Sequence, residues 1–234
     1  MDTRALVFDV FGTCVDWRTS VAREVAAVAR TKGVTVDGAA FADACRANYQ
    51  PSMERVRSGA RPWTILDVLH RETLDELLPR FGLAMLDEGE RGHLDRAWHR
   101  LAPWPDTVEG LTRLKRKFII ATLSNGNVAL LVNLAKHAGL PWDTVFASET
   151  FRAYKPLPAT YLGAAELLRL KPEQVMLCAA HNSDLKAAAA CGLRTAFIVR
   201  PTEYGPDQKI DLAPTGPWDF VARDFVDLAS LLGC

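Results

Sequence analysis

Asp9, Lys155 and Asp184 are the residues of this 234-residue chain best suited to chemistry, with Ser124, Asn125 and His181 in similar settings. Asp9 follows four apolar residues, Ala5 to Phe8, and precedes a turn opened by Gly12. A run of that kind reads as a strand buried on both faces, and its carboxyl end is where open α/β sheets place ligands. A carboxylate delivered there can act as a nucleophile; an Asp before a Gly can also be only a turn former. Lys155 lies in Tyr154-Lys155-Pro156, where the proline fixes the following chain. An ammonium beside Asp9 would favour its ionised form, while the alternative is a surface lysine ahead of a helix. Asp184 ends Ala179-Ala180-His181-Asn182-Ser183-Asp184, either as a helix N-cap or as a second carboxylate facing Lys155. His181 is either a loop histidine bonded to backbone or a general base. Ser124-Asn125-Gly126 closes another apolar run and could cradle an anion, though turns use these residues widely.

These side chains need a scaffold. Phe118 to Leu123, Val145 to Ala147, Val175 to Ala179 and Thr195 to Val199 read as further buried strands. Between them, helical patterns run from Asp106 as a cap to the basic stretch Arg113–Lys117, up to Ala138-Gly139, from Pro158 to Leu170 and from Asp184 to Cys191. Strands alternating with helices predict an α/β fold, a doubly wound parallel, Rossmann-like sheet with right-handed crossovers. Residues 18–100 carry no convincing strand. Helical patterns there start at Thr19-Ser20, at Asp37, at Trp63 and at Asp87, the last running to Leu101. The expected organisation is a core of residues 1–17 and 101–234 with an all-helical cap, residues 18–100, inserted after the first strand. The Pro- and Gly-rich stretch from Arg200 to Phe220 reads as loop before a closing helix, Phe225 to Leu232.

Composition narrows the function. Lys and Arg (28) balance Asp and Glu (28), which gives no basic surface for nucleic acid and no acidic tail. Five scattered cysteines without a Cys-x-x-Cys pair argue for free thiols and against a zinc site. With no signal peptide before Leu6 and no bilayer-length apolar run, a cytoplasmic protein is expected.

Asp-x-aromatic-Gly-Thr after an N-terminal hydrophobic strand resembles the first motif of the haloacid dehalogenase superfamily. The phosphatases of that superfamily place a second Asp two residues after the nucleophile, beside a bound magnesium. Phe11 stands there, and a phenyl ring neither donates a proton nor supports a hard cation. Asp9, Ser124, Lys155 and Asp184 are similar to the four superfamily motifs in order, and the likeness spans nearly the whole chain. The closest resemblance is to the L-2-haloacid dehalogenase (type II) group, carried by Leu123-Ser124-Asn125-Gly126 and Tyr154-Lys155-Pro156. It implies hydrolysis of short 2-haloalkanoic acids through an aspartyl ester, without metal or other cofactor, in a homodimer. It further implies Asp9, Lys155, Asp184, Thr13, Arg46 and His181 as catalytic residues. Val10, Phe11, Ser124, Asn125, Tyr161 and Asn182 would bind a halogenated carboxylate, largely through loop amides. Tyr49 and Trp63 are candidate pocket walls. Two departures stand out: the group's usual Ser-Ser-Asn before the fourth-motif Asp is Ala179-Ala180-His181, and the first-motif aromatic lacks the frequent hydroxyl. Three other readings stay open: a magnesium-dependent phosphatase of the same fold, a non-catalytic anion binder, and hydrolysis of another activated carbon electrophile.

Overall fold

The computed structural model describes residues 2–234. Its first strand, β1 (Ala5–Phe8), has no exposed residue, because both of its faces are covered. Side chains alternate along a strand, so Leu6 and Phe8 enter one hydrophobic cluster and Ala5 and Val7 the other. After the Asp9 turn, a two-residue strand β2 (Val15–Asp16) leads into helices α1 (Trp17–Thr31), α2 (Gly38–Arg57), α3 (Leu66–Leu77) and α4 (Glu88–Asp95). The chain returns through β3 (Ala102–Pro103), which pairs antiparallel with β2. The rest alternates: α5 (Thr107–Lys115), β4 (Ile119–Ser124), α6 (Val128–Ala138), β5 (Thr144–Ala147), the short α7 (Ser148–Phe151), α8 (Pro158–Leu167), β6 (Val175–Ala179), α9 (Asn182–Ala190), β7 (Arg194–Ile198), β8 (Phe220–Ala222) and α10 (Phe225–Leu231).

The main sheet is six-stranded and parallel, in the order β5-β4-β1-β6-β7-β8. The chain winds outward from β1 on one side and then crosses to wind outward on the other. β1 is therefore central, and the reversal of direction opens a crevice at its carboxyl end, where Asp9 sits. The α/β class, the parallel sheet and the helical cap are as the sequence predicts.

Several details differ. Asp16, not Thr19, caps α1, accepting from the Thr19 N–H at 2.9 Å. The fourth cap helix ends at Asp95 and continues as a 3₁₀ turn, Arg96–Arg100. The segment read as loop ends in β8, whose three residues are too few to show a period. Asp106 precedes α5 but makes no cap hydrogen bond. Its two oxygens instead accept from Arg200 Nη1 at 2.7 Å and Nη2 at 2.8 Å, and Oδ2 also accepts from the Phe225 N–H at 2.8 Å. A bidentate pair with a buried guanidinium outweighs a local cap. Arg200 also donates from Nε to the Thr13 carbonyl at 2.9 Å, bracing the nucleophile turn. The returning chain braces it too, through Trp104 Nε1 to the Gly12 carbonyl and Thr107 Oγ1 to the Cys14 carbonyl, both at 2.8 Å. All five cysteines are free thiols. Among the described residues, no helix is long and apolar enough to cross a membrane.

Candidate active site

Asp9 leaves β1 into a cavity of about 680 Å³ whose walls come from both the sheet's carboxyl edge and α2. Four groups converge on its carboxylate or on its neighbours. Lys155 Nζ donates to Asp9 Oδ1 at 2.9 Å and also pairs with Asp184 Oδ2. Thr13 Oγ1 donates to Asp9 Oδ2 at 2.7 Å, and His181 Nδ1 lies 3.1 Å from the same oxygen. Tyr161 donates its hydroxyl to Asp184 Oδ1 at 2.6 Å. Every carboxylate oxygen of Asp9 and Asp184 thus has a protein donor. A hard cation needs oxygen ligands, and this arrangement directs those oxygens at an ammonium, hydroxyls and an imidazole. Among the described residues, no group of three or more His, Cys, Asp or Glu is placed to hold a metal ion.

The electrostatics follow from these contacts. Burial alone would raise the Asp9 carboxyl, but Lys155, His181 and Thr13 outweigh it and hold the group well below the usual carboxylate range. Burial would likewise strip Lys155 of its proton, and Asp184 and Asp9 together hold it on. Asp9 is therefore an anion at neutral pH, desolvated on one side and fixed by its neighbours, which is what a carboxylate nucleophile requires.

His181 is held between two acids. Its Nε2 lies 3.0 Å from each Glu203 oxygen while Nδ1 faces Asp9. Burial lowers its basicity, but Glu203 and Asp9 more than compensate, leaving it protonated well above its ordinary 6.5. The sign of the linkage is that of a raised histidine. The stability it contributes is fully present below about pH 6.5 and is lost as pH rises through the higher folded-state value. We expect the urea midpoint to fall on the alkaline side, and His181→Asn to flatten that limb; an unchanged alkaline limb in the variant would place the titration elsewhere.

Arg46 enters from α2. Its guanidinium stacks over the Tyr49 ring at 4.6 Å, lies 5.3 Å from the Trp17 ring and reaches Glu203 Oε1 at 3.6 Å. Nη2 donates to the Tyr204 hydroxyl at 3.4 Å, whereas the buried Nη1 has no hydrogen-bond partner. A buried cationic donor left unpaired beside a cavity is ready for an incoming acceptor.

The other residues singled out in the sequence divide into two sets. Phe11, Asn125 and Tyr161 line the cavity with Asp9, Arg46, Lys155, His181 and Asp184. Asn125 accepts from the Lys155 backbone N–H at 2.8 Å, tying two motifs together. Phe11 stands edge-on to Tyr49 at 6.4 Å, joining the turn to the cap. Val10, Ser124 and Asn182 do not line the cavity. The Val10 side chain is in the core, and its carbonyl closes the turn by accepting from Cys14 at 2.9 Å and Val15 at 3.3 Å. Ser124 Oγ accepts from the Gly126 N–H at 3.1 Å and so shapes its own loop. Asn182 holds the stretch after β7: it donates to Asp211 and accepts from Thr215 N–H and Trp218 Nε1, the latter two at 2.8 Å. Asp184 caps no helix; it lies in the first turn of α9, with its carboxylate in the site. Trp63 packs on Tyr154 at 5.0 Å rather than on the cavity, which Tyr49 does line.

The sequence reading missed Glu203, Tyr204 and Arg57. Glu203 and Tyr204 lie a few residues past the end of β7, inside the stretch read only as Pro- and Gly-rich loop, and that position is their sole hint in the sequence. Arg57, at the end of α2, donates from Nη1 to the Lys155 carbonyl at 2.9 Å and links cap to core.

Comparison with known proteins fits this geometry. The sequence matches the model of the haloacid dehalogenase-like hydrolases over residues 3–192. (S)-2-haloacid dehalogenase 1 of Pseudomonas sp. (strain CBS-3) is 30% identical over 207 residues, 86% of this chain and 88% of the relative. The crystal structure of a defluorinating L-2-haloacid dehalogenase is 54% identical with a TM-score of 0.97, covering 99% of this chain and 96% of that one. The L-2-haloacid dehalogenase from Xanthobacter autotrophicus, with chloropropionic acid covalently bound, is 25% identical with a TM-score of 0.80 and 98% coverage of each chain. With its nucleophile motif and helical cap in place, the chain belongs to the haloacid dehalogenase-like hydrolase family.

Proposed function

We propose that this chain hydrolyses the carbon–halogen bond of short (S)-2-haloalkanoic acids, giving 2-hydroxyacids and halide. The observation that carries the reading is the buried, ionised Asp9 facing a cavity in which Phe11 replaces the phosphatase acid. Asp9 attacks the carbon bearing the halogen from the opposite side, and the carbon–halogen bond breaks as the ester bond forms. Arg46, with its unpaired Nη1, stabilises the departing halide together with Asn125. Main-chain amides of the Asp9 and Ser124 loops hold the substrate carboxylate, with Ser124 Oγ serving the loop rather than the substrate. Water then attacks the Asp9 carbonyl carbon, so the hydroxyacid leaves and the carboxylate is restored. Thr13 and Lys155 fix Asp9 through both half-reactions, and Tyr161 and Asp184 fix Lys155 in turn. The covalently bound chloropropionic acid of the Xanthobacter relative supports the ester. The cap and core, residues 18–100 and the remainder, meet at this cavity.

The reading extends to a cytoplasmic homodimer. Five free thiols support a reducing compartment, and sedimentation equilibrium measures the assembly.

The direct test is halide release from L- and D-2-chloropropionate in excess EDTA, beside a phosphate-ester assay with magnesium. EDTA-resistant release from the L isomer alone is expected. Magnesium-dependent phosphate release without halide would overturn the reading. A defluorinating relative at 54% identity makes fluoroacetate a substrate to include.

A further inference from the structure

We infer that Glu203 and His181 form a proton-accepting pair for the second half-reaction, with His181 the base that activates water and Glu203 its positioning residue. The inference rests on the aspartyl-ester reading and assigns the one step for which that reading names no base.

The pair is built into the fold. Glu203 is 1% exposed, and both of its oxygens sit 3.0 Å from His181 Nε2, with Oε1 also accepting from Trp17 Nε1 at 3.0 Å. The carboxylate reaches this place only because residue 12 is glycine. A Cβ on Gly12 would stand 2.0 Å from Glu203 Oε1, and its φ of +85° is itself a conformation side chains rarely adopt. The invading acid therefore leans on the backbone of the nucleophile turn, and the imidazole it orients points Nδ1 at Asp9 Oδ2, 3.1 Å away. The charged and titratable groups around His181 are Asp9 from the β1 turn and Glu203 from the stretch after β7. Lys155 lies beyond Asp9, and Arg46 of α2 lies beyond Glu203.

In the resting enzyme both ring nitrogens face carboxylates, and only the doubly protonated ring can donate to both. Alkylation changes this. Once Asp9 is an ester it carries no charge, and one of the two acids holding the ring cationic is gone. The imidazolium then releases its Nδ1 proton to solvent, which is the proton that the overall reaction produces. Neutral His181, still held through Nε2–H to Glu203, accepts a proton from water as the hydroxide bonds to the Asp9 carbonyl carbon. Collapse of the tetrahedral intermediate breaks the bond to the alkoxide oxygen, which takes the proton from His181. The Asp9 carboxylic acid left behind passes its proton to the neighbouring imidazole, and the resting ion pair returns. Only water is consumed besides the haloacid, and halide, hydroxyacid and one proton leave.

The pair thus separates the half-reactions: alkylation needs Asp9 anionic, and hydrolysis needs His181 neutral. Glu203→Gln and His181→Asn test this by single turnover with excess enzyme over L-2-chloropropionate, following halide, hydroxyacid and intact protein mass. In both variants halide release is expected to slow far less than ester hydrolysis. Their ester, seen as enzyme plus haloacid minus hydrogen halide, should persist because hydrolysis slows by about 10² to 10³-fold. Wild-type ester hydrolysis should rise with pH to a plateau, and the rise should vanish in His181→Asn. If Glu203→Gln does not fold, the asparagine variant and its pH profile decide. Equal slowing of halide and hydroxyacid release, or unchanged hydrolysis in both variants, would overturn the pairing. No halide and no adduct in wild type would instead overturn the aspartyl-ester reading and the inference with it.

Discussion

Asp9→Asn is expected to abolish halide release, by about 10⁴-fold or more, while leaving the protein folded. The variant is nearly isosteric, so Thr13 Oγ1 and the cavity walls keep their places. What disappears is the anionic lone pair that attacks carbon, and an amide is a far poorer nucleophile. The substitution also removes a negative charge that compensates both Lys155 and His181. Lys155 retains Asp184, and His181, still held by Glu203, can go neutral as it does beside the ester, so no cation is left unpaired and the fold tolerates the change. Halide electrode traces over hours, with protein mass read before and after, check the result. The mass matters because deamidation would regenerate Asp9 and restore rate as it proceeds. Undiminished release with the amide intact would remove Asp9 from the mechanism.

Lys155→Ala is expected to damage stability and catalysis together. Lys155 is 7% exposed and is the cation shared by Asp9 and Asp184. Removing one partner from a buried ion pair costs about 3–5 kcal/mol, because the remaining charge is left uncompensated. For a chain of this length, about 3 kcal/mol corresponds to a fall in Tm of roughly 6–12 °C. Without the ammonium, burial is outweighed less strongly, the Asp9 carboxyl rises from its depressed value, and Oδ1 loses the donor that aims it. The alkylation rate should therefore fall across the whole pH range. A scan of thermal unfolding and of kcat/KM from pH 6 to 9 measures both effects. Full wild-type stability in the alanine variant would mean that the two carboxylates have found other compensation.

Asp9→Asn and Lys155→Ala divide the site into what acts and what holds it. Asp9 does the chemistry, and its reach is fixed by the strand that carries it. Lys155 comes from 146 residues away and sets the state in which Asp9 acts. The Asn125 side chain accepts from the Lys155 backbone, and Arg57 donates to its carbonyl, so a core loop and a cap helix both fix the ammonium's position.

The apolar runs of the sequence determined β1, β4, β5, β6 and β7 of the main sheet, while the two-residue β2 and β3 left no such run. Burial on both faces leaves a continuous hydrophobic signature that local reading recovers. The same logic located Asp9, Asn125, Lys155 and Asp184, since each follows a strand or opens the next helix at the sheet's carboxyl edge. Asp16 and Asp106 show where local reading stops. Either acid can cap a helix; Asp16 does, while Asp106 binds Arg200 across the fold. Glu203 is the sharper case. Nothing in Pro201-Thr202-Glu203-Tyr204 announces a buried carboxylate against Gly12 and His181, and Asn182, two residues from the site's own acid, serves only to hold Asp211, Thr215 and Trp218. Helical and strand periods record which face of an element meets the core. A charge pair between distant loops leaves no period, because its partners are brought together only when the sheet closes and burial makes each depend on the other.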